Sequence, residues 1–419
     1  MLRIGLTGGI ACGKSRVRRR FAALGFATLD LDAVAHEVMA PGGTAYADVV
    51  AAFGRGILAA DGTVDRKSLG ARVFADAEAR AQLNALVHPR VREAEALWAA
   101  EEEARGARAM VTDAALLVEA GLHLRFHRLV VVDCEGGEQL RRLVVRDGLD
   151  EASARARIAA QMPAAEKRRF AHLIVDASGG LPETDAHTDV VASELAWLAD
   201  HPPPRPPFRP DALLAALATG PERGPRGLDP VRWVRETAAA GEVEMERLKG
   251  LLVPPFAGPW HAAADTVPAG APGPEAVAPV VGVWALARRG LDDPFTAGAM
   301  FSVARLTHRD PERVAAACLV ALAASHLGAG PVPEARRDPD GWAATAQRWS
   351  GAPAPGWARA AVEAALARPD DEHAAVEVAR AAGADAALAR ALVAAFTARP
   401  PRDAPADVVD AARALARPD

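Results

Sequence analysis

Residues 5–16 read "GLTGGIACGKSR", and their types and spacing pose the first chemical question. Gly8, four intervening residues and then Gly13-Lys14-Ser15 make the G-x-x-x-x-G-K-[ST] pattern, in which glycines let backbone N–H groups turn inward onto phosphate oxygens. In that pattern Lys14 reaches the β- and γ-phosphates and the Ser15 hydroxyl binds Mg²⁺. Gly8, Gly9, Ile10, Ala11, Cys12, Gly13, Lys14 and Ser15 are therefore the candidate phosphate-binding set.

A cradle of this kind works only where a strand enters it and a helix leaves it. Leu2, Ile4 and Leu6 alternate as a buried strand does, and Val17, Phe21 and Leu24 fall on one helical face. The helix then begins at the phosphate and adds its N-terminal dipole. Further along, the pattern predicts strands over 2–7, 26–30, 108–113, 128–133 and 172–176. Between them it predicts helices that include 15–24, 67–75, 77–86, 89–105, 137–146 and 150–161. Such alternation implies an α/β fold, a parallel five-stranded sheet flanked by helices. Ligands in such sheets collect at the carboxyl ends of the strands, where Asp30, Asp32, Asp113 and Asp133 stand.

Phosphoryl transfer also needs a group at the acceptor hydroxyl and cations for the charge on the transferred group. Asp32, in "TLDLDAVAHEV", fits either a carboxylate facing the γ-phosphate or a helix cap. Arg142 and Arg146 lie four apart on one helical face, as a lid over phosphates or an ordinary surface helix would place them. Asp113 closes an apolar strand where an acid helps hold Mg²⁺ through water, or where a turn begins. The basic run Arg16, Arg18, Arg19 and Arg20 reads as the solvated face of the helix leaving the loop.

At 419 residues, half of them hydrophobic, the chain is long enough for two cores. A net charge of −5 carries no electrostatic footprint for nucleic acid. Cys12, Cys134 and Cys318 are too few and too scattered for a disulfide framework or a zinc site, which fits a reducing cytoplasm. The first residues lack a signal-peptide core, and no apolar run of about 18 residues predicts a membrane span. "HPPPRPPFRP" at 201–210 holds six prolines and reads as a stiff spacer. It divides an expected domain at 1–200 from a mostly α-helical one at 211–419.

Together, "LTGGIACGKS", "LDLDAVAHEV", "FGRGILAADGTVDRKSLGARVF", "LNALVHPRV", "DAALLVEAGL", "VVVDCEGGEQLRRLVVRDG" and "RIAAQM" resemble the dephospho-CoA kinases, in order from residue 2 to about 180. The resemblance implies a P-loop kinase fold and transfer of the ATP γ-phosphate to the ribose 3′-hydroxyl of dephospho-CoA, with Mg²⁺ accompanying ATP. It implies that Gly8 to Ser15 hold ATP, that Asp32 is the general base and that Arg142 belongs to the lid. His36 and His88 fall in the stretch resembling the part that receives the CoA-like substrate, and His88 equally fits a structural histidine. Departures from the family pattern are Arg16 for threonine, His36 for arginine, Ala115 for proline, and His172 and Ala177 in the late "AD…IDN" segment. They keep two other readings open: an ATP-binding regulator with little turnover, and a kinase for another small hydroxyl compound.

Residues 277–330, especially "LTHRDPERVAAA", resemble a helical stretch of the ADP-ribosylglycohydrolases. That family's acidic clusters are missing: Asp292-Asp293 and Asp370-Asp371 lack the flanking threonines. Without carboxylates to hold paired metals the expectation is a non-catalytic helical domain. It could bind a nucleotide-like ligand, mediate oligomerisation, regulate the first domain or be a fused fold without a chemical role. His308 and Trp284 read as core or capping residues.

Overall fold

The computed structural model describes residues 1–202, 212–213, 215, 232–236, 245, 260, 274, 278–289, 293–306, 308–329, 338–367, 372–383, 392–393 and 406–414. Most of the proline spacer, and Asp292, Asp370 and Asp371, lie outside the described residues. The chain forms two compact units. One comprises Met1–Leu116, Leu129–Ala164 and Leu173–His201; the other comprises Leu117–Arg128, Ala165–His172 and Pro202–Asp419.

The first unit is built on a five-stranded sheet in the order β2-β3-β1-β4-β5. Its strands are β1 Leu2–Gly8, β2 Ala27–Asp30, β3 Ala109–Asp113, β4 Arg128–Asp133 and β5 Leu173–Asp176, each within one residue of the predicted span. β3 runs parallel to both neighbours, with Leu6 opposite Asp113 and Asp30 opposite Asp113, and β4 runs parallel to β5. The register gathers Gly8, Asp30, Asp113 and Asp133 at one end of the sheet. The central strands are apolar because helices cover both faces. Ile4, Leu6, Val111, Val130 and Val132 are buried in one cluster with Val17 and Phe21.

Seven helices of this unit bear on the site: α1 Lys14–Ala23, α2 Leu31–Val38, α3 Tyr46–Phe53, α4 Arg66–Ala75, α5 Ala77–Ala104, α6 Gly136–Asp147 and α7 Glu151–Ala159. α2, α3, the short α8 at Ala164–Arg168 and α9 Leu181–Asp200 lie outside the predicted helical spans. One prediction is corrected: helices 77–86 and 89–105 are a single helix, α5, with Pro89 inside it. Proline there removes one N–H donor, and the break it usually causes is overridden by packing against α2, α3 and α4 along the helix. Asp76 starts α5 firmly, its carboxylate accepting the N–H groups of Glu78 and Ala79.

The second unit is helical, as the sequence predicts. Pro311–Gly328 is its centre, with Ala278–Arg289, Asp293–Ala304, Pro339–Ser350 and Gly356–Ala367 packed on it. From Val314 to Ala324 every residue of that helix is buried, the signature of a helix apolar all round. Trp284 lies on Ala278–Arg289. His308 is half-buried, and burial pushes its imidazole below the ordinary histidine range. Within this unit His123 stacks on Trp260 at 5.6 Å, meets Phe170 edge-on at 5.2 Å, and bonds Ser302 Oγ at 2.8 Å. Arg305 pairs with Glu166, and Lys167 with Glu119 at 2.8 Å. No helix among the described residues is long and apolar enough to cross a membrane.

Candidate active site

The loop between β1 and α1 is held in a shape few residues permit. Gly13 precedes α1 at φ +94°, a conformation that glycine adopts without steric cost. Gly8 lies so close to β4 that a Cβ there would sit 2.5 Å from the Val132 carbonyl oxygen. Ala11 takes φ +61° without being glycine, local strain of the sort stored at functional sites. α1 has neither a side-chain cap nor an acidic residue in its first turn. α2, α4, α5 and α7 are each capped by an aspartate. The first N–H groups of α1 are thereby left for an anion, with the helix dipole behind them.

Lys14 and Asp113 form an ion pair at the mouth of this loop. Asp113 is fully buried, and Arg18 Nε lies 3.2 Å from its other oxygen, which receives no hydrogen bond. Burial raises the Asp113 carboxyl above its usual range in spite of both cations. Arg18 also reaches Asp30 at 3.3 Å, so one arginine spans the ends of β2 and β3.

The two aspartates after β2 have different tasks. Asp30 is the cap of α2: its Oδ1 accepts the N–H groups of Asp32 at 3.0 Å and Ala33 at 3.1 Å. Asp32, in the first turn of α2, is exposed and leaves capping to its neighbour. Of the two readings that the sequence leaves open for Asp32, the cap belongs to Asp30.

On the other side stands Arg142. Its Nε donates to Glu138 at 2.6 Å and its Nη2 to the Gly179 carbonyl at 2.9 Å. Its Nη1 lies 4.0 Å from where a Gly13 Cβ would be. Arg141 and Arg142 together hold the Glu138 carboxyl down at about 2. Arg146, by contrast, is turned to Asp147, its Nε donating at 2.7 Å. Asp147 also accepts from Arg157 at 2.9 Å.

His36 borders a cavity of about 270 Å³ whose walls include Met39, Val64, Arg66, Leu69 and Leu83. Burial, and then the charge of Arg66, lower the His36 imidazole below its ordinary value, so the ring faces this cavity neutral near pH 7. His88 lies further along α5 from Leu83 and is half-buried.

Sequence reasoning missed three features of the site. Ile10, at the loop's tip, is gripped from both sides: its N–H donates to Gln161 Oε1 at 2.8 Å and its carbonyl accepts from Gln139 Nε2 at 2.9 Å. Isolated amides carry no spacing signal, although Gln161 lies within the "RIAAQM" stretch. The arginines after the loop, read as a solvated face, are largely paired. Arg16 forms a two-pronged bond with Asp185, and Arg20 another with Asp189 at 2.6 and 2.7 Å. Arg19 donates to the Ser15 carbonyl at 3.2 Å. The third feature is the pairing of Lys14 with Asp113.

These residues lie in the stretch that known proteins match. The family model for dephospho-CoA kinase matches residues 2–183. A dephospho-CoA kinase of Corynebacterium efficiens is 44% identical over 195 residues, covering 98% of that protein and 46% of this chain. The chain belongs to the dephospho-CoA kinase family. A family member from Geobacter sulfurreducens is 46% identical over 180 residues, 91% of its length and 43% of this chain. Another, from Geobacillus kaustophilus, is 46% identical over 186 residues, 91% of its length and 44% of this chain. The family model ends at residue 183, before the helical unit's principal helices, which run from residue 278 onward.

Proposed function

We infer that this chain transfers the γ-phosphoryl group of ATP to the 3′-hydroxyl of dephospho-CoA, giving coenzyme A and ADP. The observation that carries this reading is an uncapped helix start with Lys14 at its mouth, set at one sheet end beside an exposed Asp32.

Gly8 to Ser15 wrap the ATP phosphates, and their backbone N–H groups supply fixed dipoles. Asp113 holds Lys14 in the cradle until phosphate oxygens take over the ammonium. Arg142, beside Gly13, meets the negative charge that spreads over the transferred group, while Arg146 with Asp147 and Arg157 stiffens the lid helix that carries it. Asp32 orients the acceptor hydroxyl and accepts its proton. His36 and the cavity beside it receive the apolar part of the acceptor, with His88 on the same substrate side.

Mg²⁺ fits the residues present. Ser15 offers a hydroxyl oxygen and Asp113 a buried carboxylate oxygen without a hydrogen bond, hard donors of the kind Mg²⁺ prefers. Among the described residues no group of three or more His, Cys, Asp or Glu side chains forms a metal cage. Mg²⁺ needs none, because it enters nucleotide sites with phosphate oxygens and its own waters. When bound it neutralises charge on the β- and γ-phosphates. We place the reaction in the cytoplasm and assign the chain neither a nucleic-acid nor a membrane partner.

The test is product analysis with a panel of hydroxyl acceptors under Mg-ATP. Dephospho-CoA should be consumed to a product one phosphoryl group heavier, identical to coenzyme A. Transfer to a different acceptor with dephospho-CoA untouched would overturn the substrate assignment and leave the phosphate site standing.

A further inference from the structure

Two thiols meet beneath the phosphate loop. The backbone of Cys12 belongs to the cradle, but its side chain is fully buried in the core cluster that includes Val17, Val132 and Ala177. Cys134 follows directly on β4 and is 5% exposed. Its S–H donates to Cys12 Sγ at 2.7 Å. Both are reduced thiols outside any disulfide, as is Cys318 in the helical unit, whose S–H donates to the Ala297 carbonyl at 3.5 Å.

We propose that Cys12 and Cys134 are a reversible oxidation site, closed to a disulfide by peroxide and reopened by a dithiol reductant. Peroxide transfers one oxygen to Cys12 Sγ, giving a sulfenic acid and one water. Cys134 Sγ then attacks Cys12 Sγ, the S–S bond forms, and the sulfenic oxygen leaves as a second water. Two thiols and one hydrogen peroxide thus yield one disulfide and two waters, with two electrons passing from the sulfurs to the O–O bond. The hydrogen bond sets the order: Cys134 donates its S–H to Cys12 Sγ, so Cys12 meets peroxide first, and the Cys134 proton leaves with the sulfenic oxygen as water when the S–S bond forms.

The consequence for the cradle is mechanical. A disulfide is shorter than any contact between two thiols, so closing it draws the sulfurs together and fastens the loop to the end of β4. A misplacement of about 1 Å in a reacting site can cost on the order of 10² in rate. Both thiols are buried beneath the loop, which restricts access to a small oxidant and favours protection by bound nucleotide. This part of the inference rests on the loop being the ATP cradle.

The experiment uses the full chain, reduced, desalted and treated with hydrogen peroxide with and without Mg-ATP. Remaining thiols are then alkylated, the protein digested, and linked peptides identified by mass while ADP release is followed in parallel. The expected result is a peptide pair joined through Cys12 and Cys134 with Cys318 still alkylated, formed more slowly with Mg-ATP present. ADP release falls by roughly ten-fold or more, and dithiothreitol restores it. Cys134→Ala keeps its starting activity and shows no reversible loss. Failure of the linked pair to form, under peroxide that oxidises added glutathione, overturns the proposal. A linked pair that leaves ADP release unchanged, or equal reversible loss in Cys134→Ala, overturns the control it exerts. The linked peptide is read from the unsubstituted chain and needs neither the variant's folding nor any kinase activity. A reduced chain that never releases ADP counts against the ATP assignment instead.

Discussion

Two helices of this protein start in opposite ways. Pro311–Gly328 in the second unit is capped by Asp310, whose carboxylate accepts the Glu312 N–H, and it is buried around its whole circumference through its middle. α1 is entered through Gly13 with no side-chain cap, and its outer face carries Arg16, Arg19 and Arg20. The first satisfies its own polar groups and spends its surface on packing. The second leaves donors open at its start and ties its flank down with ion pairs to Asp185 and Asp189. The contrast separates an element whose sequence serves a core from one whose sequence serves a ligand, within a single chain.

The comparison breaks most visibly at the ligand end. Asp32→Ala should lower kcat by about 10²–10⁴ while leaving ATP binding and the melting temperature nearly unchanged, because the side chain is exposed. Lys14→Ala should cost a comparable factor of roughly 10²–10³, and should weaken nucleotide binding as well. Steady-state ADP release and a nucleotide titration distinguish the two.

At the core end the largest effect is on stability. Glu166→Ala leaves the buried Arg305 guanidinium without its carboxylate, and the helical unit should lose roughly 3 kcal/mol. Chemical denaturation followed by far-UV circular dichroism measures it. The same unit should depend on pH through His123, whose burial lowers its imidazole to about 3 from 6.5. Between those values the unfolded chain binds a proton that the folded chain refuses, so stability falls as pH is lowered through the window. His123→Gln should flatten that slope in melting curves taken from pH 7 downward.

The smallest effect sharpens the difference between neighbouring aspartates. Asp30→Ala removes the cap of α2 and should cost about 1 kcal/mol of stability. Asp30→Asn, which keeps a capping oxygen, should restore most of it. Neither outcome resembles the loss of turnover expected at Asp32.

How much of this was legible depends on the range of the interaction. The phosphate loop and all five strands follow from short-range spacing and alternation, and the structure places each strand within one residue. The predicted helices 77–86 and 89–105 are one because packing along α5 carries it through Pro89, which opposes a helix locally. Asp30 and Asp32 stand two apart after one strand, and sequence has no means of telling which one turns back onto the helix start. The grip of Gln139 and Gln161 on Ile10 joins residues 129 and 151 positions away, and Arg16 meets Asp185 across 169 positions. Those partners were invisible until the fold brought α6, α9 and the segment after α7 to the loop. Arg16, too, has a partner that only the fold supplies, Asp185 on α9.

The most direct test of the account is ADP release by the full chain with Mg-ATP, measured with and without dephospho-CoA, for the unsubstituted protein, Lys14→Ala and Asp32→Ala. The account predicts release that depends on dephospho-CoA, collapses in both variants, and leaves nucleotide binding intact only in Asp32→Ala. Full turnover in Asp32→Ala, or nucleotide binding by the folded chain with no acceptor-dependent release, would contradict it.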